Sequence, residues 1–185
     1  YYPGASSFLI KLTAETSTRK LLGLQVLGAG AVDKLTDIAV VGTSQGMKLD
    51  DFDTLDFAYA PPFSTAIHPF VTACYILENK IDGIFDSMTP AEFIAGAAKG
   101  YTVLDAQPAP AIPNARWIDL SSVNGPIEGL EKDAPLLLVC AKGKRGYFLQ
   151  NRLKAFGYTN TKVLEGGAFF NEVKVEKQPG QVTVS

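Results

Sequence analysis

The sequence predicts an α/β protein of two domains: an α+β unit, then a three-layer α/β/α unit built on a small parallel sheet. Three observations carry that reading. Residues 8–12 and 22–27 read as strands separated by a polar stretch, so the chain opens on a hairpin. From residue 102 onward short strands alternate with helical segments, the pattern of a parallel sheet covered on both faces. Leu136, Leu137, Leu138 and Val139 form an unbroken apolar run, as a strand buried on both sides requires.

Composition agrees. Of 185 residues, 46% are hydrophobic and 19% charged, enough apolar material for a core in each domain. The formal net charge of −2 offers no electrostatic footprint for nucleic acid. No apolar run approaches the roughly 20 residues of a membrane-spanning helix. Neither nucleic acid nor membrane is therefore expected as a partner. Two cysteines cannot build a disulfide framework, which fits a reducing cytoplasm. The chain opens on Tyr1, Tyr2, Pro3 and Gly4, without Met or signal peptide, and reads as a piece of a longer protein.

In the second strand Leu22, Leu24 and Val26 alternate with Gly23, Gln25 and Leu27, a period of two with one lapse. The polar segment Thr13 to Lys20 reads as the hairpin loop. A helix is expected from Ala31 to Gln45, with Leu35, Ile38 and Ala39 on one face and Gly46 as its stop. Pro61 and Pro62 force a loop between Tyr59 and Phe63. A further helix runs from Pro69 to about Glu78. The domain boundary is placed at residues 80–86, giving domains 1–80 and 84–171 and a polar tail, 172–185, expected to be loosely held. After Phe85 a helix opens at Thr89, Pro90, Ala91 and Glu92, a capping box with Pro in first position. Strands follow at Thr102–Leu104, Arg116–Ile118 and Leu136–Val139. The next helix carries Leu149, Leu153 and Phe156 and stops at Gly157, and a last strand covers Lys162–Leu164.

Cys140 is the strongest chemical signal. It ends the buried strand and precedes a short loop, Ala141, Lys142, Gly143, Lys144 and Arg145, and then a helix. The sulfur is expected at the strand's mouth, ringed by loop N–H groups and facing a helix N-terminus. The helix dipole and the cations Lys142, Lys144 and Arg145 favour a thiolate, nucleophilic near neutral pH. Four residues separate Cys140 from Arg145. Cysteine phosphatases place one residue more there, which widens the ring of amides to fit phosphate, and Val139 stands where they carry a histidine. The tighter ring suits a single sulfur, held as a terminal persulfide anion.

On these residues the stretch 85–170 resembles a rhodanese (sulfurtransferase) domain. The resemblance extends to the closing pattern Ala155, Phe156, Gly157, Tyr158 and Val163, Leu164, Glu165, Gly166, Gly167. It implies that Cys140 is the nucleophile and that Ala141 to Arg145 cradle the substrate anion. Asp105 matches the family's aspartate, but Gln107 stands where an arginine is usual. Ala111, Ile112, Pro113, Asn114 and Ala115 shorten a segment that normally carries a histidine. Tyr1 to Gly4, Val32 to Lys34 with Asp37, and Ala58 to Phe63 resemble the C-terminal dimerisation domain of coenzyme A-disulfide reductases and their NADH oxidase relatives, over residues 1–80. That resemblance implies a homodimer formed through this region. It also implies a possible cross-subunit reductase role for Tyr1 (or Tyr2) and Tyr59. FAD, NAD(P)H and coenzyme A are implied for the longer parent, with no cofactor in this chain.

Remaining motifs read as structural. Gly28, Ala29, Gly30, Ala31, Val32 and Asp33 mimic a dinucleotide turn, but Asp33 replaces the third glycine and the preceding strand belongs to a hairpin. His68 is the sole histidine, which excludes a multi-histidine metal site; no Ser-His-Asp triad is expected, and a surface or interface role is. Cys74 reads as a packing residue. The expected chemistry is transfer from a sulfane-sulfur donor to a thiol acceptor. Its rivals are a catalytically silent interaction module and a cysteine phosphatase or arsenate reductase.

Overall fold

Alternation of apolar and polar residues builds the start of the chain. Phe8–Ala14 (β1) and Leu21–Gly28 (β2) pair antiparallel, with an irregularity between Thr13 and Ala14. The expected loop is shorter than its polarity suggested, because β1 continues through Thr13 and Ala14 before the chain turns. Val32–Gln45 (α1) lays Leu35, Ala39 and Gly42 against the hairpin and ends at Gly46, whose φ of 66° is the left-handed conformation glycine adopts without cost. A 3-10 turn at Leu49–Thr54 and the helix Pro69–Ile81 (α2) close this core. Leu21, Leu35, Leu49, Phe52, Phe70 and Cys74 form its centre, with the Phe52 and Phe70 rings tilted at 4.8 Å.

His68 caps α2: its Nδ1 accepts the Phe70 N–H at 3.3 Å, and its ring stacks on Phe57 at 4.7 Å. The structure, a computed structural model, describes residues 3–176 and divides between Gly83 and Ile84 into two units.

The second unit is a five-stranded parallel sheet. Its elements are Ser87–Met88 (β3), the short helix Pro90–Ile94 (α3), Thr102–Asp105 (β4), Arg116–Trp117 (β5), Leu136–Val139 (β6), Lys144–Ala155 (α4), Thr161–Leu164 (β7) and Gly167–Phe170 (α5). The strand order is β3-β7-β6-β4-β5. All four pairings are parallel. All four residues of the central strand β6 are fully buried. Leu136 and Leu138 pack with Leu149 and Leu153 of α4, whereas Leu137 and Val139 pack with Met88, Ile112 and Leu164 on the opposite face, where Phe93 of α3 and Ala168 of α5 lie. These are the three layers the sequence predicts.

Two local expectations need correction. The stretch after Phe85 is not helical at first, because Ser87 and Met88 pair with Val163 and Leu164 before the Thr89–Glu92 capping box opens a helix of five residues. Nor is the start of the polar tail loose: Val173 and Val175 pack on the core and the Asn114 side chain donates to the Val175 carbonyl at 2.8 Å. The rest of that tail lies outside the described residues. Among the described residues no helix is long and apolar enough to cross a membrane.

Two predictions follow from this packing. A Cβ on Gly146 would stand 2.9 Å from Val163 Cγ1 and 3.3 Å from the Leu138 carbonyl oxygen, so α4 lies this close to the sheet only with glycine there. Overpacking costs about 1–3 kcal/mol, against a gain of up to about 1 kcal/mol for alanine over glycine in a helix. Gly146→Ala is thus expected to lower stability by about 1 kcal/mol. Urea denaturation followed through the sole tryptophan, Trp117, reads it, and an unchanged midpoint would refute the close-packing account.

Burial first, and then the charge of Lys34, push the His68 pKa below its ordinary 6.5. The unfolded chain then takes up the proton first on acidification. The stability this neutral cap supplies is present above 6.5 and lost as pH falls through the lower folded value. The single imidazole resonance should titrate below 6.5 by NMR, and a midpoint at or above that value would contradict the cap.

Candidate active site

Cys140 directly follows β6, and the strand's alternation sends its side chain to the face of Leu136 and Leu138. The residue is only 3% exposed. The Gly143 N–H donates to Sγ at 3.1 Å. Gly143 has φ of 98° and is the residue preceding α4; a Cβ would find open space there, so glycine is required by backbone conformation and not by crowding.

On the reverse side of the loop, the Ala168 N–H donates to the Cys140 carbonyl and the Phe169 N–H to the Ala141 carbonyl, each at 2.9 Å. These bonds come from the first turn of α5.

The predicted cradle divides its labour. Gly143 supplies an amide to the sulfur and Ala141 is exposed. The Lys142 ammonium lies 5.5 Å from the centre of the Phe169 ring, and the Lys144 ammonium 5.8 Å from that of Phe148. Arg145 turns its Nε to the Ala106 carbonyl at 2.7 Å, bracing α4 against the end of β4.

That carbonyl is itself fixed. Asp105, 1% exposed, accepts the Gln107 N–H on Oδ1 at 3.0 Å and the Ala111 and Ile112 N–H groups on Oδ2 at 2.7 and 2.9 Å. The Ala106 N–H donates to the Val139 carbonyl at 2.7 Å, tying the same corner to β6. The Gln107 carbonyl in turn accepts the Trp117 indole N–H at 2.9 Å. Trp117 was not singled out from sequence, and Gly167 entered only as the last residue of the closing pattern that resembles the family, with no role assigned.

Tyr59 is exposed on the loop of the first unit, and Tyr1, like Tyr2, lies outside the described residues. Cys74 is buried, and its thiol is pushed up to about 12 by burial first and then by Glu78 and Asp53. Both cysteines are free thiols. Gly28 and Gly30 serve the chain's own packing. A Cβ on Gly28 would stand 2.6 Å from Phe8 Cα and one on Gly30 would collide with the Ser6 hydroxyl, so no space for a pyrophosphate exists there. A groove of about 400 Å³ between Arg116 and Ile127 includes none of residues 140–145.

Comparison with known proteins covers both units. The rhodanese-like domain family matches residues 75–169, and the dimerisation domain of pyridine nucleotide-disulphide oxidoreductases matches residues 1–70. The CoA-dependent NAD(P)H sulfur oxidoreductase of Pyrococcus furiosus is 33% identical over 78 residues, 42% of this chain and 17% of that protein. The coenzyme A disulfide reductase of Staphylococcus aureus is 33% identical over 69 residues, 37% of this chain and 15% of that protein. The chain therefore matches less than a fifth of these relatives' length. Among solved structures, reduced Bacillus anthracis CoADR-RHD superimposes with a TM-score of 0.82 at 29% identity, covering 91% of this chain and 31% of that one. The NAD-dependent persulfide reductase from A. fulgidus gives a TM-score of 0.80 at 30% identity over 92% of this chain and 31% of that one.

The Asp105 corner is open to test. In Asp105→Asn the Nδ2 group cannot accept a hydrogen bond, so at least one of the three amides is left buried and unpaired, a loss of about 1–3 kcal/mol. The denaturation midpoint read through Trp117 should fall accordingly, and wild-type stability would show that the carboxylate does not hold the corner.

Proposed function

The chain belongs to the rhodanese-like domain family, and from that premise we propose that its second unit transfers sulfane sulfur through a persulfide on Cys140. The observation that carries this is the Gly143 N–H aimed at Sγ at 3.1 Å, at the end of a fully buried strand. An N–H donated to sulfur favours its anionic form and stays in place when the anion gains a second sulfur.

The reaction needs no external redox partner. The Cys140 thiolate attacks the sulfane sulfur of a donor such as thiosulfate, forming the Cys140 S–S bond as the donor's own S–S bond breaks and sulfite leaves with the electron pair. An acceptor thiolate then attacks the outer sulfur, taking it as a new persulfide and restoring the Cys140 thiolate. Lys142 and Lys144, held at the rim by Phe169 and Phe148, attract the anionic donor, while Arg145 holds the loop to β4. The four-residue spacing from Cys140 to Arg145 supports sulfur as the cargo and not phosphate.

For the longer protein we propose a reductase of disulfides, persulfides or polysulfides that receives this sulfur, with coenzyme A as thiol partner, in the cytoplasm. The relatives, a CoA-dependent sulfur oxidoreductase, a coenzyme A disulfide reductase and a persulfide reductase, support this reading. FAD and NAD(P)H would be held outside this chain and supply the reducing electrons. A homodimer through residues 1–80 is supported by the match to a dimerisation domain and by the exposed Leu22, Leu27 and Phe63 of the first unit.

Incubation with thiosulfate followed by intact-mass measurement tests the central step. The expected result is a gain of one sulfur atom, retained in Cys74→Ser and abolished in Cys140→Ser. No gain, or a gain indifferent to Cys140→Ser, would leave the module catalytically silent.

A further inference from the structure

We propose that Gly167 is a positioning residue for Cys140: it lets the first turn of α5 clasp the back of the catalytic loop, and that clasp aims the Gly143 amide at the sulfur. The role rests on the sulfur-transfer reading above and deepens it. Three observations converge on it. Gly167 has φ of 57°, in the left-handed region. A Cβ on it would collide with the Cys140 carbonyl oxygen and stand 2.6 Å from that of Ala141, so contact with the loop is closed to every other residue. Both of those carbonyls are taken by α5 amides at 2.9 Å, from Ala168 and Phe169.

The physical logic is one of peptide orientation. A peptide plane carries its C=O and its N–H on opposite edges. Fixing the carbonyls of Cys140 and Ala141 toward α5 fixes the planes of the first two loop peptides, and with them the direction in which the loop continues to Gly143. Gly143 sits at positive φ, so its orientation depends on what anchors the loop at either end. Arg145 anchors the helix end on the Ala106 carbonyl, and the α5 amides anchor the Cys140 end through main-chain atoms. Gly166, also at positive φ (76°), delivers the chain into that contact. Loosening α5 would cost the sulfur its amide donor while leaving the sheet intact, since β6 and β7 remain paired along Leu136–Leu138.

Three variants of this chain separate the possibilities. Gly167→Ala fills the contact. Phe169→Pro deletes the donor to Ala141 and sets the ring Cδ where the N–H pointed, so it drives that carbonyl off α5 without adding a Cβ at residue 167. Phe169→Ala removes the exposed ring and keeps the donor. Folding is followed by Trp117 fluorescence, and Cys140 by its rate of alkylation with iodoacetamide as a function of pH, with site-specific mass mapping. Gly167→Ala and Phe169→Pro are expected to fold, to alkylate about tenfold or more slowly at neutral pH, and to shift the pH profile upward as the sulfur loses a charge-assisted hydrogen bond; Phe169→Ala, which loses the ring contact with Lys142 but keeps the donor, should fall less than Phe169→Pro. A folded Gly167→Ala or Phe169→Pro with the parental rate or profile overturns the proposal. If Gly167→Ala does not fold, Phe169→Pro decides; failure of both to fold also overturns it, since the contact would then belong to the framework. Alkylation does not require sulfur transfer, so a parent that takes no sulfur from thiosulfate would refute the sulfur-transfer reading while leaving this measurement valid.

Discussion

A strand that is dry on both faces must still end somewhere, and the end of β6 carries the sulfur. Buried backbone groups need partners, because each one left unpaired costs on the order of 1–3 kcal/mol. At this strand end the Val139 carbonyl receives the Ala106 N–H, the Cys140 carbonyl the Ala168 N–H, and the Ala141 carbonyl the Phe169 N–H. The donors come from segments on either side of β6, one after β4 and one after β7. The placement of Cys140 therefore depends on closure of the whole parallel sheet, and no short peptide around the thiol could reproduce it.

The two cysteines are both buried and differ in the groups that face the sulfur. Cys74 lies among apolar side chains with carboxylates of Glu78 and Asp53 nearby, and its thiol is pushed up to about 12, so it stays protonated and inert. Cys140 is almost as inaccessible, yet it receives a backbone N–H and is flanked by Lys142, Lys144 and Arg145. The two lysines lie against aromatic faces, contacts worth about 0.5–1 kcal/mol at exposed sites. The amide at the sulfur is fixed, and the charge at the rim is adjustable.

Much of this was legible where the physics is local. The apolar run Leu136–Val139, the Thr89–Glu92 capping box and the glycine stop at Gly46 each depend on neighbours within a few residues, and each appears as read. The two-residue strand β3 was not legible, because Ser87 and Met88 are extended only through pairing with Val163 and Leu164, far along the chain. Gln150 of α4, a polar residue the sequence analysis did not place, is fully buried with its amide bonded to the Asp86 and Thr161 carbonyls. The cysteine and its loop were readable as a motif. That Arg145 would brace Ala106, and that Gly167 would close on the Cys140 carbonyl, follow from the three-dimensional meeting of segments that no sequence spacing encodes.

The departures from the family pattern gain meaning in the same way. Asp105 is retained, and its carboxylate is wholly occupied with the Gln107, Ala111 and Ile112 amides, so it serves the corner that orients the Ala106 carbonyl toward Arg145. Gln107 contributes to that corner through its backbone, donating to Asp105 and accepting from Trp117, which any residue at the position would do. Replacing the family's arginine there leaves the frame untouched and alters only what a side chain can offer a substrate. The Gln107 side chain thus stays outside the bonds that support Cys140, whereas the Ala111 and Ile112 backbone joins them through Asp105.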